Sequence, residues 1–523
     1  MLCADLYAGL RADLFPAVTI DLTSEYGDLI PLNRDLIRAR DGKSYWDITV
    51  SPGNVWSERG DRGMSRACFP FQLSNVLEND THHGLATLLY DDVRTSPLRF
   101  QICVQTRPFV IGEIFDAWGT VPFEARPLEA GQEEFARTAY VQELNDQLPI
   151  RPWEELAGGV PPELLDALNS GMGHDTEIVS GLVIDNQIFA TPCRTRSGRF
   201  PFPRGMKFGI WSATKTAFGA IACMHLARTT GEDPRKARIA DLVDEARDQN
   251  HWADVTIGDC LNMATGVGTA APHKTGTNIL SDYILDEEQI AGDALNRRSR
   301  EHYFDWFLAP GKAEKNRAAI ACPAYPWGPG EVARYRDQDL YLAGAAMDAW
   351  YKLRHGPHAR LWHMVREDVY VPARIHNAVK FETLEENSDL AVPLTDAGLL
   401  LSMDNLGMLG NLIHNGGKAG HRQLLDERML QELFDARCEK GLPTGMHTAD
   451  GEIRYHFAAW HMPYRSRHGE HMWLPTMLGY GGQIIQILPN GMTAFRFAYD
   501  PAATEERYDY LKLPRIADRI RAF

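Results

Sequence analysis

Hydrophobic positions in the first 125 residues come in short bursts separated by Gly, Pro, Asn and Asp. Val18–Leu22, Ser44–Val50, Leu85–Tyr90, Phe100–Gln105 and Phe109–Ile114 are mostly aliphatic, β-branched or aromatic, so strands are expected there. The pattern then changes. Glu129–Leu148 is polar with a helical period and is stopped by Pro149 and Pro152, and Pro161-Pro162-Glu163 opens a second short helix. From Glu177 two strand-like runs, Glu177–Val183 and Gln187–Thr191, flank the hairpin signal Ile184-Asp185-Asn186. A charged helix is expected over Pro234–Asp248. Thr256 is placed to cap the following helix, with Asp259 three residues on completing the cap.

Helical periodicity continues to about residue 440, broken at Tyr325-Pro326-Trp327-Gly328-Pro329-Gly330. The apolar run Leu399–Leu412 reads as a helix, and Asn415-Gly416-Gly417 reads as its C-terminal cap rather than a phosphate loop, because the glycines follow the helix. Strand-like runs return at Ile453–Ala459, Ile484–Leu488 and Met492–Tyr499, before a terminal helix over about Leu513–Phe523. The expected organisation is a β-rich lobe over 1–125, a helical connection over 126–176, and an α/β domain over 177–523. In that domain a sheet is built from both ends and a helical insert spans about 235–440.

Composition narrows the function classes. The 523 residues are 44% hydrophobic and 24% charged, a globular balance, and a net charge of −16 argues against nucleic acid or an anionic membrane as partner. No apolar run reaches transmembrane length, and the N-terminus lacks a basic segment followed by an apolar one, so a cytoplasmic protein is expected, or a periplasmic one if a leader has been removed. The eight cysteines are scattered, as in a reduced protein, and suggest neither a disulfide scaffold nor a metal knuckle. Adjacent His82 and His83 point to opposite sides of a strand and read as a surface pair. His461, His468, Glu470 and His471 lack the spacing of a helical zinc motif, so no metal or other cofactor is expected.

The candidate chemistry sits at Gly209-Ile210-Trp211-Ser212-Ala213-Thr214-Lys215. Ser212 and Lys215, three apart ahead of a long apolar helical run, share a helix face, so the amine can hang over the hydroxyl as a nucleophile and base pair. Four stretches, in order, resemble the class C-like branch of the serine β-lactamase and penicillin-binding protein superfamily. Ser212-Ala-Thr-Lys215 resembles its nucleophile motif. Val255-Thr-Ile-Gly-Asp-Cys-Leu-Asn262-Met-Ala-Thr-Gly resembles the helix that follows it. Pro329-Gly-Glu-Val-Ala-Arg-Tyr335-Arg-Asp337 resembles its tyrosine motif, and Ala397–Asp404 through Asn415-Gly-Gly-Lys418 resembles a further segment of that branch. The resemblance covers about residues 177–523. It implies an antiparallel sheet flanked by helices, with a helical insert.

The resemblance also implies a mechanism. Ser212 would attack a carbonyl and form an acyl-enzyme, Lys215 would act as base, and Tyr335 would share the proton and pass it to the leaving group. Lys215 would need to be neutral part of the time. Lowering an amine by about 3 pH units costs about 4 kcal/mol, which burial and a nearby cation would supply. The oxyanion hole would use the Ser212 N–H and one N–H on the Gly479–Gln483 strand, with Tyr480 the choice and Gln483 the alternative. Gly479, Gly481 and Gly482 would allow close backbone approach, and Asn262, Trp327 and Asp337 would line the pocket or serve structure. Two features depart from the family. Asp337 stands where Asn is common, and Gly479-Tyr480-Gly481-Gly482-Gln483 replaces the cationic Lys-Thr-Gly motif, which weighs against β-lactams. This glycine-rich segment resembles those of the branch's esterases and 6-aminohexanoate-oligomer amidases. The expectation is therefore a metal-free serine hydrolase of a small ester or amide. The alternatives are a peptidase or amidase of short peptides or oligoamides, and a non-catalytic sensor or binding protein that keeps the fold. The N-terminal lobe is expected to cover the cleft or to mediate homo-oligomerisation.

Overall fold

A computed structural model describes residues 10–39, 42–104, 106, 115–124, 131–166, 168, 177–196, 198–268, 279–282, 302–499 and 509–523. Two sheets organise the chain. The first is eight-stranded and antiparallel, from Leu22–Glu25, Asp28–Pro31, Asp47–Val50, Gly53–Trp56, Ser65–Asn75, Glu78–Tyr90, Leu98–Ile102 and Trp118–Val121. Trp46, Ile48, Phe69, Phe71 and Ile102 form its dry core. Of the expected strand Val18–Leu22 only Leu22 joins the ladder. The chain before it is held by a bridge between Arg11 and Ser44 and by Phe15, which packs on Phe71 and Phe100. Phe109–Ile114 lies outside the described residues.

The second sheet has nine strands, ordered Leu442–Thr448, Gly451–His456, Ala459–Arg465, His471–Gly479, Gln483–Ile487, Thr493–Ala498, Glu177–Ile184, Gln187–Ala190 and Ile150–Pro152. All neighbours are antiparallel except the last pair, so the segment connecting the lobes contributes a parallel edge strand. Glu177–Ile184 pairs with Thr493–Ala498, which closes the sheet from both ends of the segment. Asp185 and Asn186 take positive φ (47° and 62°), the tight hairpin turn their side chains tolerate. Helices Ile221–Thr230, Asp337–His355, Met403–His414 and Lys512–Ile520 accompany the sheet. No helix among the described residues is long and apolar enough to cross a membrane.

Two elements differ from the sequence expectation. Pro234–Asp248 is a series of single 3-10 turns, because Arg238 bridges Thr256 and the Ile239 N–H donates to Val255 O, pulling the backbone out of helical register. Leu399–Leu401 is a strand rather than the start of a helix. It sits between Phe208–Gly209 and Val379–Lys380, so the insert is not wholly helical, and Ser402 and Asn405 then form the capping box of Met403–His414. The expected box of Thr256 and Asp259 caps Ile257–Leu261.

The lobes meet along Glu78–Tyr90. His82 and His83 are not a surface pair; both are fully buried. The His82 ring packs against Trp46 and Phe115 in the lobe, and the His83 ring lies 5.0 Å from Phe208 of the other domain. Burial lowers them to about 4 and about 3, so both are neutral. Thr81 Oγ1 bonds the Tyr499 hydroxyl at 2.5 Å, and Phe208 stacks on Phe497 at 3.9 Å.

Candidate active site

Ser212 lies in a 3-10 turn, Trp211–Ala213, that leads into a π-helical turn, Lys215–Ala220, and then the α-helix Ile221–Thr230. The wider π turn leaves carbonyls without their usual helical donors, and the Tyr370 hydroxyl takes that of Ala217 at 2.7 Å. The strand Leu399–Leu401 holds the segment from behind. Ile210 N–H donates to Leu399 O at 3.1 Å, and Leu399 N–H donates to Thr214 Oγ1 at 3.1 Å. Between Met206 and Ala227 every residue is buried except Ser212. Ser212 is thus the one partly exposed residue of an otherwise dry segment.

Lys215 is 1% exposed, and its Nζ meets three acceptors: Ser212 Oγ at 2.7 Å, the Asp396 carbonyl at 2.8 Å and Asp337 Oδ1 at 2.7 Å. Three acceptors around one nitrogen match the three protons of an ammonium. The other Asp337 oxygen accepts from the Tyr303 hydroxyl at 2.9 Å. Among the described residues the expected cation does not stand in this immediate shell; the Asp337 carboxylate does. Burial lowers the Lys215 pKa, but the charges of Asp337, Tyr335 and Asp396 outweigh it, and the pKa is raised above the ordinary lysine value. Asp337 is therefore a partner of Lys215.

Tyr335 is 5% exposed and stacks on Trp460 at 5.4 Å, edge-on to Tyr455. Its phenol is within hydrogen-bonding reach of Ser212 and Lys215, and the Lys215 ammonium lies 5.0 Å from its ring centre. Burial pushes the phenol up, while the Lys215 charge pulls it down. Behind Lys215, Asp396 is raised to about 6 by burial and by the charge of Asp337. Lys315 is lowered to about 8 by burial and donates to the carbonyls of Trp306 and Phe307.

Gly479 ends the strand His471–Gly479 flush against the Ser212 turn; a Cβ there would come 2.2 Å from Ile210 O. Tyr480, Gly481 and Gly482 form a hairpin turn rather than the expected strand, with φ of +77° and +89° at the glycines. The Tyr480 ring stands edge-on to Trp211 at 5.4 Å, so this turn flanks Ser212. The other pocket candidates are engaged with partners of their own. The Gln483 side chain is spent on Ala498, donating to its carbonyl and accepting its N–H. Asn262 accepts the Phe457 N–H at 2.7 Å and steadies the turn whose Ala458 carbonyl receives the Thr216 hydroxyl. Trp327 stacks on Tyr325 at 4.3 Å beneath Arg334. His461 is buried in mid-strand, while His471 opens the next strand opposite Arg465. Among the described residues no three His, Cys, Asp or Glu side chains are placed to hold a metal ion.

Sequence reasoning missed the contribution of the N-terminal lobe. Asn79 Oδ1 accepts the Trp211 backbone N–H at 2.7 Å, and Asp80 Oδ1 accepts its indole N–H at 2.9 Å. Trp211 has φ of +46°, a left-handed conformation that costs a bulky residue about 1–3 kcal/mol.

No family model matches the chain, and no curated protein matches it. Solved structures give distant likenesses. EstCE1, a hydrolase with promiscuous acyltransferase activity, is 13% identical over 70% of this chain and 99% of its own, with a TM-score of 0.46. A D-stereospecific amidohydrolase from Streptomyces sp. is 13% identical over 68% and 96%, with a TM-score of 0.42. A penicillin-binding protein from Bacillus halodurans is 16% identical over 65% and 94%, with a TM-score of 0.42.

Proposed function

We propose that the protein is a serine hydrolase that forms an acyl-enzyme on Ser212 and cleaves a small ester or amide. The observation that carries this reading is the one partly exposed residue of a buried segment, a serine whose hydroxyl is held 2.7 Å from a buried lysine and within reach of a buried phenol. In the form of the Lys215–Tyr335 pair that has given up one proton to solvent, Ser212 Oγ bonds to the substrate carbonyl carbon and its proton passes to the vacant site on the pair. The pair acts as one unit, since the ammonium and the phenol share their protons at close range. The tetrahedral oxyanion is met by the Ser212 N–H and by the backbone of the Tyr480 turn. Tyr335 then protonates the leaving oxygen or nitrogen as the carbon–heteroatom bond breaks. Water repeats the sequence on the acyl ester and restores Ser212. The Gly479–Gln483 turn carries no cationic side chain of its own, so a substrate carboxylate finds no counter-charge there.

Treating the full chain with a fluorophosphonate and mapping the adduct by mass spectrometry tests this. A stoichiometric adduct on Ser212 is expected, together with turnover of p-nitrophenyl esters in preference to nitrocefin. A chain that takes no adduct and turns over neither esters, amides nor short peptides is not a hydrolase.

The Asp337 carboxylate makes a directional prediction. It raises the Lys215 pKa, so the pair loses its proton only at higher pH. In Asp337→Asn the anion is gone, the pKa falls, and the acid limb of the kcat/KM–pH profile moves down by about 1 pH unit or more. A limb that stays in place or moves up would show that Asp337 does not set the protonation of the pair.

A further inference from the structure

Asn79 belongs to the N-terminal lobe, yet it reaches the residue before the nucleophile. Its backbone lies over Gly209 so closely that a Cβ there would come 1.4 Å from Asn79 O. Its side chain accepts the Trp211 N–H, and only the amide oxygen can do so, which fixes the amide orientation. Asp80 holds the indole of the same residue. Asn79 and Asp80 are 3% and 2% exposed, so water does not replace them as partners.

Trp211 sits at positive φ, where a bulky residue stays only if its surroundings hold it. The next peptide carries the Ser212 N–H. If Trp211 relaxed to negative φ, that N–H and the Ser212 hydroxyl would swing together. We propose that Asn79 is a positioning residue for the Ser212 reaction, its amide oxygen pinning Trp211 in the conformation that aims the serine hydroxyl and N–H. The inference rests on the hydrolase reading of Ser212. It gives the N-terminal lobe a role inside the catalytic geometry, distinct from covering a cleft or pairing subunits.

The test compares the wild-type full chain with Asn79→Ala and Asn79→Asp, the second of which keeps an acceptor oxygen at the same place. The second-order rate of Ser212 phosphonylation is measured per mole of folded protein, alongside kcat and KM for a p-nitrophenyl ester and the melting temperature. Misplacing a reacting group by about 1 Å costs on the order of 100-fold. Asn79→Ala is expected to label and turn over about 10- to 100-fold more slowly, with KM within about threefold of wild type, and Asn79→Asp to recover most of the loss. A purely structural contact would lower the melting temperature and leave the rate per folded molecule unchanged. If Asn79→Ala does not fold, Asn79→Ser, whose hydroxyl falls short of the Trp211 N–H, is read in its place with the same expectation. An alanine or serine variant within twofold of wild type overturns the proposal, as does an aspartate variant no faster than alanine. In either case the hydrolase reading stands if wild-type Ser212 is labelled. Failure to label wild-type Ser212 overturns both.

Discussion

Replacing Ser212 by alanine is expected to abolish turnover, by about four orders of magnitude or more, and to remove the phosphonate adduct while the fold stays intact. The stability expectation comes from the contacts of Lys215. Without the serine oxygen its ammonium keeps the Asp396 carbonyl and the Asp337 carboxylate, so two of its three acceptors remain. Ser212 is also the one residue of its segment that reaches solvent, so a lost hydroxyl leaves a site that water can enter. The change in unfolding free energy should stay within about 1 kcal/mol. Progress curves on the best ester, with urea melts of both proteins, check the two halves together. Activity above about 1% of wild type in a correctly folded Ser212→Ala would place the nucleophile elsewhere.

Lys215→Met should be inactive and unstable at once, for separable reasons. Activity falls by about 100- to 10,000-fold because the serine proton has lost half of its acceptor pair. Stability falls because Asp337 keeps its carboxylate in a buried position after losing the ammonium, with the Tyr303 hydroxyl still donating to it. Removing one partner of a buried ion pair costs about 3–5 kcal/mol. Neutralising the survivor should reverse that cost, so Lys215→Met/Asp337→Asn should regain most of the stability and none of the turnover. Urea unfolding of the two variants beside wild type reads the stability arm, and ester hydrolysis reads the other. A double variant as unstable as the single would mean that the buried charge is not what destabilises it.

The sequence made the local parts of this site visible and concealed the distant ones. Ser212 and Lys215 were legible because helical spacing alone puts them on one face, and the structure places their atoms 2.7 Å apart. Tyr335 was reachable through the resemblance of Pro329–Asp337 to a family motif. Asp337, two residues on, was visible as a residue but not as a charge beside the lysine, since no periodicity says which carboxylate a buried amine will face. The segment before Ser402 had a readable motif with an unread purpose. The strand Leu399–Leu401 anchors the Ser212 turn, and the adjoining loop delivers the Asp396 carbonyl to Lys215. Asn79 could not be found by pattern at all, because its contact with Trp211 spans 132 residues and depends on how two sheets dock. The charged run Pro234–Asp248 misled for a related reason. Its composition suits a helix, but a β-bridge from Arg238 to Thr256 takes the backbone elsewhere.

The burial of the whole stretch around Ser212 has a practical consequence for detection. Trypsin cuts after Lys207 and Lys215, releasing the peptide Phe208–Lys215, whose hydroxyl side chains are Ser212 and Thr214. The Thr214 oxygen is shut in the interior and engaged by the Leu399 N–H. A mass increment on that fragment, acquired by the native protein from an activity-based probe in a crude extract, therefore identifies the modified atom without fragmentation spectra.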